Sequence, residues 1–190
     1  MRQRGFTLIE LLLGLLVSGI LAHLAVPGFK SLLESQQRQS AARSLASGLR
    51  FARTEAIVRN RAVVIYAVND DWSQGWRVIA DLSGRGQEDD DNPVLLERQD
   101  SGRVPIVGNG PVKSQVRFNG LGEPVFSGGG FRAGTVHVCA TDQPQSLHQV
   151  VLAPSGRISL RSDKAEQALC RSYSGIPAVT AASAPAAPWA

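Results

Sequence analysis

Gly5-Phe6-Thr7-Leu8-Ile9-Glu10-Leu11-Leu12-Leu13 is the stretch on which the reading of this chain turns. Met1-Arg2-Gln3-Arg4 stands before it as a short basic leader. Beyond it, no residue from Leu11 to Phe29 is charged at neutral pH apart from a titrating His23. Those 19 positions make roughly 28 Å of helix, close to a bilayer hydrocarbon core of about 30 Å. A basic leader followed by an apolar run describes both a secretory signal and a membrane anchor. Ala22-His23-Leu24-Ala25 has the form of a signal cleavage site, but the run continues through Val26-Pro27-Gly28-Phe29 into a helical pattern. The anchor reading is the better one. Arg2 and Arg4 then hold the N-terminus on the cytoplasmic side, which places everything after Lys30 in the periplasm.

Glu10 fits neither a plain signal nor a plain anchor. A bare carboxylate in hydrocarbon costs several kcal/mol unless it is paired. Cutting between Gly5 and Phe6 supplies a partner, because the new amino group then lies four residues before Glu10. That spacing sets two groups on one helix face.

Gly5 to Leu12 resembles the class III signal of type IV prepilins and of type II secretion pseudopilins. The resemblance implies cleavage after Gly5 by an inner-membrane prepilin peptidase and N-methylation of Phe6. It also implies that Glu10 compensates the N-terminal amine of a neighbouring subunit while a filament assembles.

From Lys30 to about Asn60 no proline interrupts the chain, and Ala42, Leu45, Leu49, Ala52 and Ala56 recur in steps of three or four as one apolar stripe. One long helix is expected, loosened at Pro27-Gly28, with its second half laid on a β-domain. The small alanines permit close approach of a sheet. Past Arg61 the period becomes strand-like. Ala62–Val68, Trp76–Ala80, Val94–Arg98, Gln115–Phe118, Thr135–Cys139, Gln149–Leu152 and Arg157–Arg161 are expected strands, separated by turn sequences such as Asn119-Gly120. A helix followed only by strands gives an α+β fold. The expected organisation is a leader over 1–5, a transmembrane helix half over 6–29 and a periplasmic helix half over 30–60. A periplasmic β-domain follows over 61–173, then an alanine- and proline-rich disordered tail over 174–190.

Internal motifs narrow the family. Phe51-Ala52-Arg53-Thr54-Glu55-Ala56 near the helix end, Gly75-Trp76-Arg77-Val78 in an early strand and Ser155-Gly156-Arg157 late in the chain resemble the GspH/FimT branch of type IV pilin-like proteins. That branch holds the type II secretion minor pseudopilin H and the type IV minor pilins FimT and FimU. The resemblance covers roughly Gly5 to Arg161. It implies a long N-terminal helix packed on a small antiparallel β-domain. The implied partners are other minor and major pilins or pseudopilins, the prepilin peptidase and the inner membrane.

Composition agrees with a globular domain carrying an anchor. The 190 residues are 43% hydrophobic and 19% charged, with a formal charge of +4. Cys139 and Cys170 have no CxxC or Cys/His company, which argues against zinc. In an oxidising compartment a single disulfide between them is the natural reading. No catalytic constellation is present. His137 and His148 are far from any nucleophile motif, and Ser155-Gly156 lacks the Gly-x-Ser-x-Gly elbow. Glu88-Asp89-Asp90-Asp91 lacks the alternating spacing of a calcium loop. A structural protein without cofactor or metal is expected, not an enzyme.

The basic residues leave one binding reading open. Glu34 to Arg61 holds six arginines against two glutamates, which on a helix ordinarily make a solvated face. In Gly156-Arg157-Ile158-Ser159-Leu160-Arg161 a period of two sets Arg157 and Arg161 on one face and Ile158 and Leu160 on the other. Two guanidiniums on one strand face four residues apart, roughly 13 Å, can meet phosphates along one backbone. FimT-type pilins implicated in DNA uptake carry Gly-Arg-x-Arg here; in this chain Ser159 stands where the second arginine would be. The resemblance therefore implies double-stranded DNA as a partner of Arg157 and Arg161, beside the plainer reading of surface arginines.

Overall fold

The helical pattern carries through the first third of the chain as α1, Leu8–Arg59. The computed structural model describes residues 8–173, leaving aside the side chains of 22–28 and 172–173. The expected leader, the tail over 174–190 and the loosening at Pro27-Gly28 therefore lie wholly or partly outside the described residues. The chain divides into two units, 1–37 and 38–190.

In the first unit, Leu8, Ile9, Leu11, Leu12, Leu13, Leu15, Leu16, Val17, Ile20 and Leu21 are all exposed. A helix apolar on every side is one that buries itself in lipid or among other helices. Among the described residues, no helix is long and apolar enough to cross a membrane. The uninterrupted described side chains end at Leu21, about 21 Å of helix from Leu8, so the span expected over 6–29 falls partly outside them.

In the second unit α1 stops for a local reason. Asn60 adopts a left-handed φ of 47°. Its N–H donates to the Ile57 carbonyl and that of Arg61 to the Ala56 carbonyl, both at 3.1 Å. These are the two bonds of a Schellman cap, which satisfy carbonyls the helix leaves unpaired. The predicted stripe of Ala42, Leu45, Leu49, Ala52 and Ala56 is buried, and Ala46 joins it.

Ten strands follow: β1 (Val63–Ala67), β2 (Gly75–Ala80), β3 (Val94–Gln99), β4 (Ile106–Gly108), β5 (Gln115–Phe118), β6 (Pro124–Val125), β7 (Gly134–Cys139), β8 (Gln145–Leu152), β9 (Ile158–Arg161) and β10 (Ala165–Glu166). They form two antiparallel sheets. One has the order β3-β2-β1-β5-β6; the other has the order β10-β8-β7-β4, with β9 also paired to β8. The helix stripe packs into one core with Val63, Ile65, Val78, Val116 and Phe118 of the first sheet and Val136, Val138, Val150, Leu152 and Ile158 of the second. β1 is central and reads as an unbroken apolar run because both its faces are covered. Its second face, with Val64, lies under the 81–92 loop. Asp81 Oδ1 accepts from the N–H groups of Gly84 and Gly86 at 2.9 and 3.1 Å, and the Asp81 carboxylate pairs with Arg117. Asn92 closes the loop's other end through Leu82 N–H and the Gly86 carbonyl, each at 2.8 Å.

The fold is α+β, as expected. Each predicted strand has a counterpart within a few residues. The differences are β8, which begins at Gln145 instead of Gln149, and the short β4, β6 and β10, which carry too few residues for an alternation to register.

Candidate assembly and binding surfaces

Gly5 and Phe6, the expected sites of cleavage and methylation, lie outside the described residues, as does the side chain of His23. Glu10 sits in the first turn of α1.

The late strand is held from beneath by the helix. Gly156, with φ of 76°, closes the turn into β9: its N–H donates to Ala153 O, and Ala153 N–H to Arg157 O, both at 2.9 Å. Arg53 Nε donates to the Gly122 carbonyl at 3.0 Å and Arg53 Nη2 to the Ser155 carbonyl at 3.4 Å. Arg50 Nη2 reaches the Ile158 carbonyl, also at 3.4 Å. Any side chain at Gly156 would run into Gly122 O and lie 2.8 Å from Arg53 Nε. The motifs at 51–56 and 155–157, a hundred residues apart in sequence, thus meet at one junction. Arg50 and Arg53 correct the expectation of a uniformly solvated helix face: Arg53 caps carbonyls of two turns, and Arg50 reaches the first carbonyl of β9.

Arg157 and Arg161 are exposed, while Ile158 is buried and Leu160 packs at the edge of the core. The predicted division of faces holds. Next to Arg161, His148 Nδ1 lies 3.1 Å from Ser162 Oγ. Burial, followed by the charges of Arg38 and Arg43, holds His148 below the usual imidazole range. Arg38 and Arg43 therefore act on the face of β8 that carries His148 and Val150, opposite the face of Arg157 and Arg161.

Cys139, ending β7, is disulfide-bonded to Cys170, with Cα atoms 5.6 Å apart. The bridge fastens the 3-10 segment Ala168–Tyr173 to the second sheet. A buried polar chain reinforces it. Gln167 Nε2 donates to His137 Nε2 at 3.2 Å, which leaves the His137 proton on Nδ1 to donate to Ser146 Oγ at 3.0 Å. Gln149 Nε2 donates to Ser146 Oγ and to the Asp163 carbonyl, each at 2.8 Å. Burial lowers the His137 pKa, so the neutral ring that this network needs is the favoured form. His137 is thus a satisfied core histidine. Among the described residues no cluster of His, Cys, Asp or Glu is arranged to hold a metal ion.

Residues 41–156 match the family described as type II transport protein GspH. The chain belongs to the GspH family. Its residues 1–26 match the prokaryotic N-terminal methylation motif. Two crystal structures of the Pseudomonas aeruginosa (strain PAO1) type IV minor pilin FimU share the fold. The form in space group P21 aligns with a TM-score of 0.55 at 23% identity, covering 72% of this chain and 97% of that one. The form in P65 aligns at 0.53 and 22% identity, covering 70% and 98%. No curated protein sequence matches the chain significantly. In this GspH-family chain the pilin fold is a long N-terminal helix against antiparallel sheets, and the junction of Arg53 with Gly122 and Ser155 lies wholly within the matched region. Sequence reading did not find that junction. Its signal in the sequence is an arginine on the helix and a Ser-Gly-Arg turn.

Proposed function

We propose that this protein is a minor subunit of a type IV pilus-type machine, inserted in the inner membrane through residues 6–29 and acting in assembly. The observation that carries this reading is the conjunction, on one chain, of the methylation motif over 1–26 with the GspH match over 41–156. Prepilin peptidase cuts between Gly5 and Phe6, Phe6 is methylated, and the Glu10 carboxylate meets the amine of the neighbouring subunit in the filament. The partners are other minor and major pilins, or pseudopilins where the machine is a type II secretion system. The pilus is the first reading because the structural likeness is to a pilus subunit; secretion is the alternative because the family model bears that name.

Mass spectrometry of the membrane-extracted chain tests the processing step. A mature N-terminus at methylated Phe6 is expected, and an N-terminus after Ala25 or an uncut chain overturns the proposal. Blotting sheared surface filaments from producing cells then separates the machines. Presence in pili supports the first reading; a chain absent from pili whose deletion stops protein secretion supports the alternative.

DNA contact is a second reading, supported by the shared exposed face of Arg157 and Arg161. Sequence-independent phosphate contact is the mode such a face permits.

A further inference from the structure

We propose that the outer edge of β3 is a docking site for an extended, uncharged segment of a neighbouring subunit, which pairs with it as a sixth strand of the first sheet. The inference rests on the assembly role proposed above and names the surface and the kind of partner.

β3 pairs on one side only, with β2. Which of its backbone groups are free follows from the bonds around it. Asp100 N–H donates to Gln74 O, and Asp81 N–H donates to Ala62 O. In an antiparallel ladder, residues alternate between facing one neighbour and facing the other. With the register Trp76↔Arg98 and Arg77↔Glu97, Arg98 and Leu96 bond to β2, while Glu97 and Gln99 turn their N–H and C=O groups outward. Among the described residues no turn or loop returns to cover those four groups. An exposed row of this kind is a template for another strand.

Proteins commonly guard such an edge with charged side chains. Here the charges are already neutralised within the chain. Arg77 Nε pairs with Glu97 at 3.0 Å, Arg98 Nε with Asp100 at 3.4 Å, and Gln99 Nε2 donates to Glu97 Oε1 at 2.9 Å. The Arg77 contact, after the Gln99 bond, holds the Glu97 carboxyl below its usual range. An incoming charged strand finds no counter-charge to meet, whereas an uncharged one finds a neutral edge. Val94 and Leu96 add exposed apolar surface, 55% and 39% of each being accessible.

The helix side of the edge is shaped to receive side chains. A cleft of about 330 Å³ opens between Ser44, Ser47 and Gly48 of α1 and Trp76, Leu96 and Arg98 of the sheet. Serine and glycine keep the helix wall low at the point where an added strand would project every second residue. The bulge between Val78 and Ile79 limits the straight part of β3 to its second half, so the paired segment is short.

Amide-resolved hydrogen exchange on the full chain tests the proposal, comparing the detergent-solubilised subunit with the same subunit in sheared filaments. The Glu97 and Gln99 amides should exchange freely in the isolated chain and slow by at least about tenfold on assembly. The Leu96 and Arg98 amides, bonded to β2, should be protected in both states. Unchanged exchange at 97 and 99 in a subunit that is present in filaments overturns the inference; absence from filaments overturns the assembly role instead. Gln99→Pro gives the second measurement, since it removes an outward N–H and no ladder bond. Filament incorporation should fall with Gln99→Pro and stay at the wild-type level with Gln99→Ala. Equal incorporation of both variants also sinks the proposal.

Discussion

Trp76 lies flat on Gly48: a β-carbon added at position 48 would come within 2.6 Å of the indole Cζ2 and 2.9 Å of Cε2. Real β-carbons do not sit that close to a ring, so the helix must carry glycine where β2 presents its tryptophan. The Gly75-Trp76 motif is therefore one half of a helix–sheet contact whose other half lies on α1. Glycine inside a helix costs roughly 1 kcal/mol relative to alanine, and burial of the indole, 5% exposed, offsets it.

Substituting Gly48→Leu should therefore destabilise the second unit, although leucine is the better helix former. Overpacking of this kind costs about 1–3 kcal/mol. Trp76→Ala should cost more, about 3–5 kcal/mol, by leaving a cavity. The double variant Gly48→Leu/Trp76→Ala should recover part of the loss, because the leucine fills space the indole vacated. Chemical denaturation of the four proteins checks this. Strict additivity would mean that the two positions do not contact each other.

Removing the Cys139–Cys170 bridge should loosen the end of the chain before it loosens the core. The cysteines are 31 residues apart in sequence, and closing a loop of such length contributes about 2–4 kcal/mol. Labelling of denatured, unreduced protein should find no reactive thiol. Cys170→Ser should lower the unfolding midpoint and speed exchange at Leu169 and Arg171. If exchange there is unchanged, the Gln167–His137 contact holds the segment by itself.

What the sequence made legible depends on the reach of the interaction. The helix stripe and the longer strands are local periodicities, and Ala42 to Ala56 or Val63 to Ala67 announce them without help from the rest of the chain. β6 is two residues beginning with Pro124 at a sheet edge, and β10 is exposed Ala165-Glu166; neither is long enough to alternate. The polar start of β8, Gln145 to His148, looks like loop until His137 supplies a partner for Ser146 and the Asp163 carbonyl one for Gln149. Arg53 is the plainest case. Its two carbonyl partners lie 69 and 102 positions away, so nothing near it in sequence distinguishes a brace from a solvated arginine.

Acid should weaken the second unit before its carboxylates titrate. Burial holds the His137 pKa below its unfolded value of about 6.5. His148 shifts the same way through burial and through Arg38 and Arg43. Below that value the unfolded chain takes up protons that the folded chain refuses. The stability these groups contribute is thus fully present above about pH 7 and is lost as pH falls toward the folded pKa. Urea midpoints measured between about pH 7.5 and 5 should decline with acidification. His137→Gln should flatten the decline even if it lowers the midpoint at neutral pH. A slope identical to that of wild type would place the titration elsewhere.

The basic face gives the last prediction. If Arg157 and Arg161 contact duplex phosphates, binding by the detergent-solubilised full chain should be independent of sequence and should weaken steeply with salt, because each contact releases counterions. Arg157→Ala/Arg161→Ala should lower affinity and flatten the salt slope by up to about two contacts' worth. The fold should survive, since β9 is anchored by Ile158 and Leu160 on the opposite face and by the Gly156 turn. The choice of comparison matters. Arg50 and Arg53 cannot serve as neutral controls, because their loss would free the Ile158, Ser155 and Gly122 carbonyls and disturb the same strand. Arg103, whose Nε donates to Ser101 Oγ at 2.9 Å in an exposed loop, tests whether any arginine will do. Gel-shift titrations at two salt concentrations should leave Arg103→Ala like wild type and the double variant weaker. No binding at low salt, or equal binding by all three proteins, makes Arg157 and Arg161 ordinary surface residues of an assembly subunit.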